Sequence, residues 1–574
     1  MRGLGVKGVW TEDRIYPTIG GGIMQKGYRD TRRCMLAIMW VAGALWVRTG
    51  IAAERATARE ACEALLGVEI SAAKIGLPTS GARIDGSRFV SATAEGNVNG
   101  EYCEVKGWIH PVNASSSRMQ FEVNLPSSWN GKLLQMGGGG FDGFLVTGLG
   151  AEGLQPKTVP HPLQRGYVTA GGDGGHQGGP GFDGRFGLDE EALRNYGRES
   201  VKRVHDVAVE ITMARYAMKP TRTYFIGNSQ GGHEALNAAA YYAADYDGVV
   251  ANYPAYNVTL LHLASLNVGQ AIYSNDGAGW LTPAKTKLLT DAVRKACDPL
   301  DGATDGIISN IAACHRAFNI ETVRNTLRCG DGKDSGMSCL SDAQIEAVAR
   351  IVSPYRPGFA VAGADEFTPW ALLEGSSFVV SNFGAQRVPG NPPTTLDALL
   401  YTAGAATVKY IITRDPNYDP LKFKPAAYRA RIEEVAKILD VTDSDLTPFR
   451  LRGGKLMLAH GTEDDFIAPG NTDAYYERHL AKQGKAAMDS FVRYYKVPGL
   501  SHGFGTFNAK YDDLTVLDHW VNSGRAPEVL IAVDENAEHS GRTRPMCVYP
   551  RWPKFTGQIG ASVDEASSFT CVLN

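Results

Sequence analysis

A chain of 574 residues, 44% hydrophobic and 21% charged, carries ample material for a globular core. Its net charge is −3, with no basic block and no acidic tail, which argues against nucleic acid as a partner. Its 66 glycines cluster in "MGGGGFDGF" and "GGDGGHQGGPGF", where backbone must turn sharply or approach something closely.

The chain begins with an export-like segment. In "RDTRRCMLAIMWVAGALWVRTGIAAERA" a basic stretch precedes an apolar run from Met35 to Val47, and small residues surround Ala53. The run is too short to span a bilayer comfortably. Residues 1–53 are therefore expected to be an N-terminal extension and export signal, with Met24 an alternative start. The mature protein is expected to be secreted or periplasmic, with no membrane attachment. Of nine cysteines, Cys34 falls in the signal, which leaves eight. An even number in an exported chain points to disulfides. Neighbours in sequence would pair Cys62 with Cys103, Cys297 with Cys314, Cys329 with Cys339 and Cys547 with Cys571, one arrangement among many. No C-x-x-C spacing suggests zinc.

"MQFEVNLPSSWNGKLLQMGGGG" predicts two short strands with a turn at "PSSWNG". "GYVTAGGDGG" predicts a strand ending in a glycine loop, and "ALRNYGRESVKRVHDVAVEITMARYA" a long helix. "RTYFIG" is a short apolar strand, "GGHEALNAAAYYAADY" a helix and "DGVVANYPA" a strand. Strands alternating with helices imply a largely parallel α/β sheet. The rhythm breaks near residue 257 and returns with "GGKLMLAHGTEDDFIAP" and "SFVRYYKVPGLSHGFG". The expected organisation is an α/β core over 54–256 and 446–574, interrupted by a lid over 257–445.

"YFIGNSQGG" has the strand, Gly-x-Ser-x-Gly and helix order of a nucleophile elbow, with Ser229 at the turn. A second Gly-x-Ser-x-Gly, "GLSHG", leads into no helix and reads as a loop. A serine needs a base, and the base needs an orienting carboxylate. His502 in "VPGLSHGFG" lies in a loop after a later strand and is the candidate base. Glu463, Asp464 and Asp465 all follow an apolar strand, and the spacing does not choose among them. The strand ending in "GGGG" permits N–H groups to converge on an oxyanion together with the N–H of Gln230. "CDPLDGATDGIISN" places Asp298, Asp301 and Asp305 in a turning loop with Gly302 and Gly306. That pattern suits either a hard cation or a solvated acidic turn.

Together "QMGGGGFDG", "GGDGGHQG", "GNSQGGHEAL", "CDPLDGATDGII", "AHGTEDDFIAPGNT", "LSHGFG" and "RPMCVYP…SSFTC" resemble the tannase and feruloyl esterase family, which includes mono(2-hydroxyethyl) terephthalate hydrolases. The resemblance spans nearly all of the mature chain. It implies an α/β-hydrolase fold with a large inserted lid, and a triad of Ser229, Asp464 and His502. It places the oxyanion donors at Gly140, or Gly139, and at Gln230. It makes the aspartate loop a structural calcium site, with ligands Asp298, Asp301, the Ala303 carbonyl, Asp305 and the Ile307 carbonyl. It matches the Cys297–Cys314 pair to a disulfide closing that loop, and the other neighbouring pairs also fit.

The family commonly joins the residue before the serine to the residue after the histidine by a disulfide. Here these positions are Asn228 and Gly503. The triad is expected to be held by packing and hydrogen bonds, among them the Asn228 side chain, and exchanging both residues for cysteine is expected to form a bridge. The resemblance implies hydrolysis of small aromatic esters: galloyl or feruloyl esters, or terephthalate monoesters. Trp370, Phe378, Phe383 and Arg387 are candidate lid walls. An acyltransferase using the same triad, and an inactive hydrolase-like binding protein, are the competing readings.

Overall fold

The structure is a computed structural model that describes residues 57–178 and 181–573; the export-signal expectation lies outside these residues. Ten strands form one sheet: β1 (Glu69–Ile70), β2 (Ala82–Val90), β3 (Tyr102–Ile109), β4 (Met119–Pro126), β5 (Lys132–Met136), β6 (Val168–Gly172), β7 (Arg222–Asn228), β8 (Gly248–Asn252), β9 (Lys455–Gly461) and β10 (Val492–Val497). Their spatial order is β1-β2-β3-β4-β6-β5-β7-β8-β9-β10. The run from β1 to β4 and on to β6 is antiparallel. From β6 to β10 every neighbour is parallel.

Burial follows this division. In β8, "GVVAN", every residue is buried, as a central parallel strand covered on both faces must be. The helix Ser200–Tyr216 lays Val204, Val207, Ala208 and Ile211, one helical stripe, against the core of the antiparallel half. The two strands around "PSSWNG" form as expected, as β4 and β5, but they do not pair. β6 lies between them, bonded antiparallel to β4 and parallel to β5. The parallel crossover overrides the local hairpin signal because it buries β5 on both sides.

Between β8 and β9 the chain contributes helices rather than sheet strands, including Val258–Gly277, Pro283–Cys297, Leu399–Ala406 and Arg429–Leu439. Their shared apolar core extends into the body of the protein through Phe141 and through Phe466, Ile467 and Ala468. The inserted region is thus continuous with two loops at the carboxyl ends of the parallel strands. Among the described residues no helix is long and apolar enough to cross a membrane.

All four sequence-neighbour cysteine pairs are bonded: Cys62–Cys103, Cys297–Cys314, Cys329–Cys339 and Cys547–Cys571. They close loops of very different length, with separations of 41 residues for Cys62–Cys103 and 10 for Cys329–Cys339. Loop-closure entropy grows with length, so the first bond stabilises more. Exchanging Cys62 and Cys103 for serine should cost about 4 kcal/mol of unfolding free energy, and exchanging Cys329 and Cys339 about 3 kcal/mol. Guanidinium titration of the two variants checks both the order and the size.

Candidate active site

β7 delivers the chain to Ser229, which takes φ 58° and ψ −117°, and the helix Gln230–Tyr241 begins at the next residue. An L residue in this region carries a strain of about 1–3 kcal/mol. Neighbouring contacts show why both flanking positions are glycine. A Cβ on Gly227 would lie 2.1 Å from the Gly231 carbonyl oxygen, and one on Gly231 would lie 2.8 Å from that of Gly138. The Ser229 N–H donates to the Asn252 carbonyl at the end of β8 at 3.0 Å, which fixes the turn over the sheet.

Two loops from the neighbouring strands reach this serine. His502, after β10, brings Nε2 to 2.9 Å from Ser229 Oγ. Its Nδ1 lies 2.9 Å from Asp464 Oδ2 in the loop after β9. Asp464 Oδ1 accepts from the N–H groups of Phe466 and Ile467, each at 2.9 Å. Its Oδ2 also lies 3.2 Å from His460 Nε2. The other two candidate acids point elsewhere. Glu463 faces Thr506 at 3.0 Å and Arg294 at 3.5 Å. Asp465 accepts from Val380 N–H at 2.9 Å and Ser501 Oγ at 3.2 Å, so the second Gly-x-Ser-x-Gly serine serves to tie loops together.

Electrostatics separates the three acids in the same way. Burial disfavours ionisation of Asp464, but His502 and His460 outweigh it and hold this carboxyl well below the usual range. Burial pushes Glu463 up to about 7, and burial with the Asp464 charge pushes Asp465 up to about 6. Burial pulls on the His502 imidazolium, yet the Asp464 charge prevails and raises His502 above its ordinary value.

The glycine loop after β5 supplies N–H groups beside the serine turn. Gly138 donates to Glu234 Oε2 at 2.8 Å and Gly139 to Asp142 Oδ1 at 2.9 Å. Gly139 is therefore occupied. The N–H groups of Gly140 and Gln230 have no hydrogen-bond acceptor among the described residues. Gly140 adopts φ 61°, and a Cβ there would lie 2.8 Å from the Gly181 carbonyl oxygen.

Aromatic side chains surround the histidine, and no sequence pattern singles them out. The Tyr253 ring centroid lies 4.9 Å from that of His502, and the Phe466 ring meets it edge-on at 5.3 Å. Phe182 packs against Phe466 at 5.4 Å and against Phe141 at 5.0 Å. Phe504 and Phe144, in the base loop and the glycine loop, are exposed. The expected lid walls are placed differently. Phe378 and Phe383 are buried against each other, and Trp370 donates its indole N–H to the Phe466 carbonyl at 3.0 Å. Arg387 donates to the Asp276 carbonyl at 2.8 Å. Phe378, Phe383 and Trp370 serve the packing of the inserted region, Arg387 makes a surface contact, and Trp370 is tied to the loop of Asp464 through Phe466. A 440 Å³ cleft at the seam of lid and body, between His315, Lys496 and Trp552, does not include Ser229.

Asn228 ties the serine turn to its neighbours rather than to the histidine loop. Its Nδ2 donates to the Gly153 carbonyl at 3.2 Å, and its Oδ1 accepts from Asn252 Nδ2 at 3.1 Å. Asn252 also donates to Asp513 Oδ2 at 3.2 Å. The expectation that cysteines exchanged for Asn228 and Gly503 would bridge meets an obstacle. Gly503 takes φ 90°, and a Cβ there would lie 3.1 Å from the Tyr253 hydroxyl. Tyr253 fills the side from which the second cysteine would have to grow.

In the aspartate loop, Asp298 Oδ1 accepts from Gly306 N–H at 3.1 Å, and Asp301 accepts from Ala303 at 3.0 Å and Ser309 at 2.9 Å. Asp305 pairs with Arg544. Burial, with the Asp305 charge a lesser cause, pushes Asp301 up to about 6. The carbonyls of Ala303 and Ile307, both buried residues, accept no hydrogen bond among the described residues. The donors are all oxygens, with buried carboxylates and two orphan carbonyls, the chemistry a hard cation takes, while as placed the three carboxylates do not converge within 4.8 Å and Arg544 holds Asp305. Among the described residues, three ligand atoms converge within 4.8 Å only at His205, Asp206 and Asp245. There Lys202 Nζ already lies 2.7 Å from Asp206 and 3.0 Å from Asp245, so an ammonium takes the place of a metal.

A family model described as tannase and feruloyl esterase matches residues 103–572. The chain belongs to this family. It is accordingly a carboxylic ester hydrolase of the α/β-hydrolase type. An uncharacterized esterase of Agrobacterium fabrum is 35% identical over 519 residues, 89% of this chain and 92% of the relative. The mono(2-hydroxyethyl) terephthalate hydrolase of Piscinibacter sakaiensis is 29% identical, over 84% of this chain and 86% of its own. The crystal structure of feruloyl esterase B from Aspergillus oryzae shares the fold, with a TM-score of 0.71 at 22% identity over 90% of this chain and 100% of that one.

In this esterase, Asn228→Ala removes both amide contacts and should lower the unfolding free energy by about 1–2 kcal/mol, read by denaturant titration. The N228C/G503C variant should keep titratable thiols until Tyr253 is also shortened.

Proposed function

We propose that this family member is a secreted serine esterase that cleaves esters of aromatic acids through Ser229, His502 and Asp464. The observation that carries the reading is the continuous hydrogen-bond chain from Ser229 Oγ through His502 to Asp464, 2.9 Å at each link. His502 Nε2 takes the proton of Ser229 as the oxygen attacks the ester carbonyl. Asp464, kept ionised, fixes the tautomer with the proton on Nδ1 and supports the imidazolium. The N–H groups of Gly140 and Gln230 receive the oxyanion. His502 then hands its proton to the leaving alcohol, and water repeats the sequence on the acyl-enzyme.

Rings in the loops around His502 support an aromatic acyl group: Tyr253 and Phe466 pack on it, Phe182 packs on Phe466, and Phe144 and Phe504 are exposed. Rings of this kind favour a planar aromatic acyl group by offset or edge contacts. Relatives whose names give feruloyl esters and a terephthalate monoester support the same class. Four disulfides support export, since such bonds persist in oxidising compartments. Asp298, Asp301, Asp305 and the carbonyls of Ala303 and Ile307 would hold calcium. When bound, the ion would neutralise the loop's carboxylates and stiffen it without joining the chemistry.

An aryl organophosphonate should label Ser229, and Ser229→Ala should lower kcat by about 10⁴–10⁶-fold. Methyl ferulate, methyl gallate and a terephthalate monoester should be cleaved faster than an aliphatic ester of equal size. An unlabelled, folded protein would refute the serine mechanism.

The pH profile follows from the raised His502. Only neutral imidazole can act as base, so kcat/KM should rise with pH through an inflection above the ordinary 6.5 of histidine. Asp464→Asn removes the charge that raises it, so the inflection should move to lower pH while kcat falls.

For the aspartate loop, chelation with EDTA should lower Tm and added calcium should restore it, with kcat at 25 °C unchanged. An unchanged Tm would rule out the ion's structural role.

A further inference from the structure

Two acidic side chains behind the glycine loop take no part in the steps above. Asp142 lies in the loop itself, and Glu234 lies one turn into the helix that follows Ser229. Glu234 Oε2 accepts the Gly138 N–H at 2.8 Å and Asp142 Oδ1 accepts the Gly139 N–H at 2.9 Å. These are the two N–H groups just before Gly140. The same segment is bound from the helix side, where Gly231 N–H donates to the Gly138 carbonyl at 3.1 Å, and at Gly140, whose carbonyl accepts from the Tyr196 hydroxyl at 3.2 Å.

Sterics hold the carboxyls as tightly as the hydrogen bonds do. Asp142 takes φ 55°, uncommon for a residue with a side chain. A Cβ on Gly138 would lie 2.1 Å from Asp142 Oδ1, and one on Gly137 would lie 2.8 Å from Glu234 Oε2. Gly174 closes the other side, where a Cβ would come within 2.6 Å of Asp142 Cβ. Both carboxyls line one small cavity of about 10 Å³, with Ser200 and Gln135. Two neighbouring acids in so confined a space are a poor choice for packing alone. Isosteric apolar residues would fill it without burying charge.

We propose that Asp142 and Glu234 are a positioning pair that clamps the Gly138–Gly139 backbone, so that the Gly140 N–H is held toward the oxyanion. The proposal rests on the serine mechanism above and adds the means by which its oxyanion site is pre-formed. Two donors are spent on the acids so that the third points outward. Burial, and secondarily the Glu234 charge, push Asp142 well up, and burial pushes Glu234 to about 7.

The test compares Glu234→Gln, Glu234→Met and Asp142→Ala with the parent enzyme. It uses a soluble aryl ester and an aryl trifluoromethyl ketone, which adds to the serine and places an oxyanion in the site. Glu234→Gln keeps an acceptor oxygen and should stay within about threefold of the parent. Glu234→Met keeps the volume and loses the acceptor, so the variant can fold while kcat drops. The drop in kcat should be about 100-fold, the effect of a reacting group displaced by about 1 Å. KM should stay within about twofold. The inhibition constant of the ketone should rise by the same factor as kcat falls, which loss of packing alone would not produce. Asp142→Ala should behave like Glu234→Met. Organophosphonate labelling of the parent at Ser229 is the control that separates the two readings. If the parent labels and Glu234→Met keeps parental kcat and ketone affinity, the positioning pair is wrong and the serine mechanism stands. A fall in Tm with both constants unchanged would likewise assign the acids to packing and overturn the proposal.

Discussion

The Ser229 turn is a strained conformation that survives only because its surroundings leave no alternative. Its φ of 58° lies between a buried strand and a helix start, with glycine two residues before and two after where any Cβ would collide. The N–H bond to Asn252 pins it to the end of β8, and Asn228 extends that grip to Gly153 and, through Asn252, to Asp513. Strain of this kind clusters at functional sites, where surrounding structure over-determines it. The neighbouring loops are arranged around the fixed position of this oxygen.

The histidine and acid loops are held by different means. Asp464 is locked by two backbone N–H groups and by His460, all from its own loop or strand. His502 has no such cage and depends on rings. Tyr253 and Phe466 both pack against it, and the Phe466 carbonyl is tied to Trp370 in the inserted region. The inserted region therefore bears on the site, because Trp370 of its core is tied to the loop that carries Asp464. Amide hydrogen bonds hold the serine turn, and rings pack the histidine loop.

The site is crowded with acids, yet their neighbours set them apart. Among Glu463, Asp464 and Asp465, one has histidines against it and remains ionised, while the other two are pushed toward neutrality. In the proposed mechanism, a single stable negative charge beside the imidazole supports its conversion to a cation. Neighbours that were also fully charged would add repulsion without direction.

The order of strand, serine, acid loop and histidine loop is written in the chain, because a nucleophile elbow demands small residues at fixed offsets and strand ends leave a local apolar pattern. The cysteine pairs were also legible as neighbours. The sequence by itself could not choose among three consecutive acids, since successive side chains leave a loop in different directions and only the fold says which meets His502. Nor could it separate Gly139 from Gly140, whose difference is that Asp142 already holds one N–H. Tyr253, Phe466, Asp142 and Glu234 lie in stretches with no distinguishing period, and β4 and β5 read as a hairpin until β6 came between them. Local steric rules were thus enough to determine which residue would be strained. Tertiary packing alone decided which groups face it, because those contacts join residues that the chain keeps far apart.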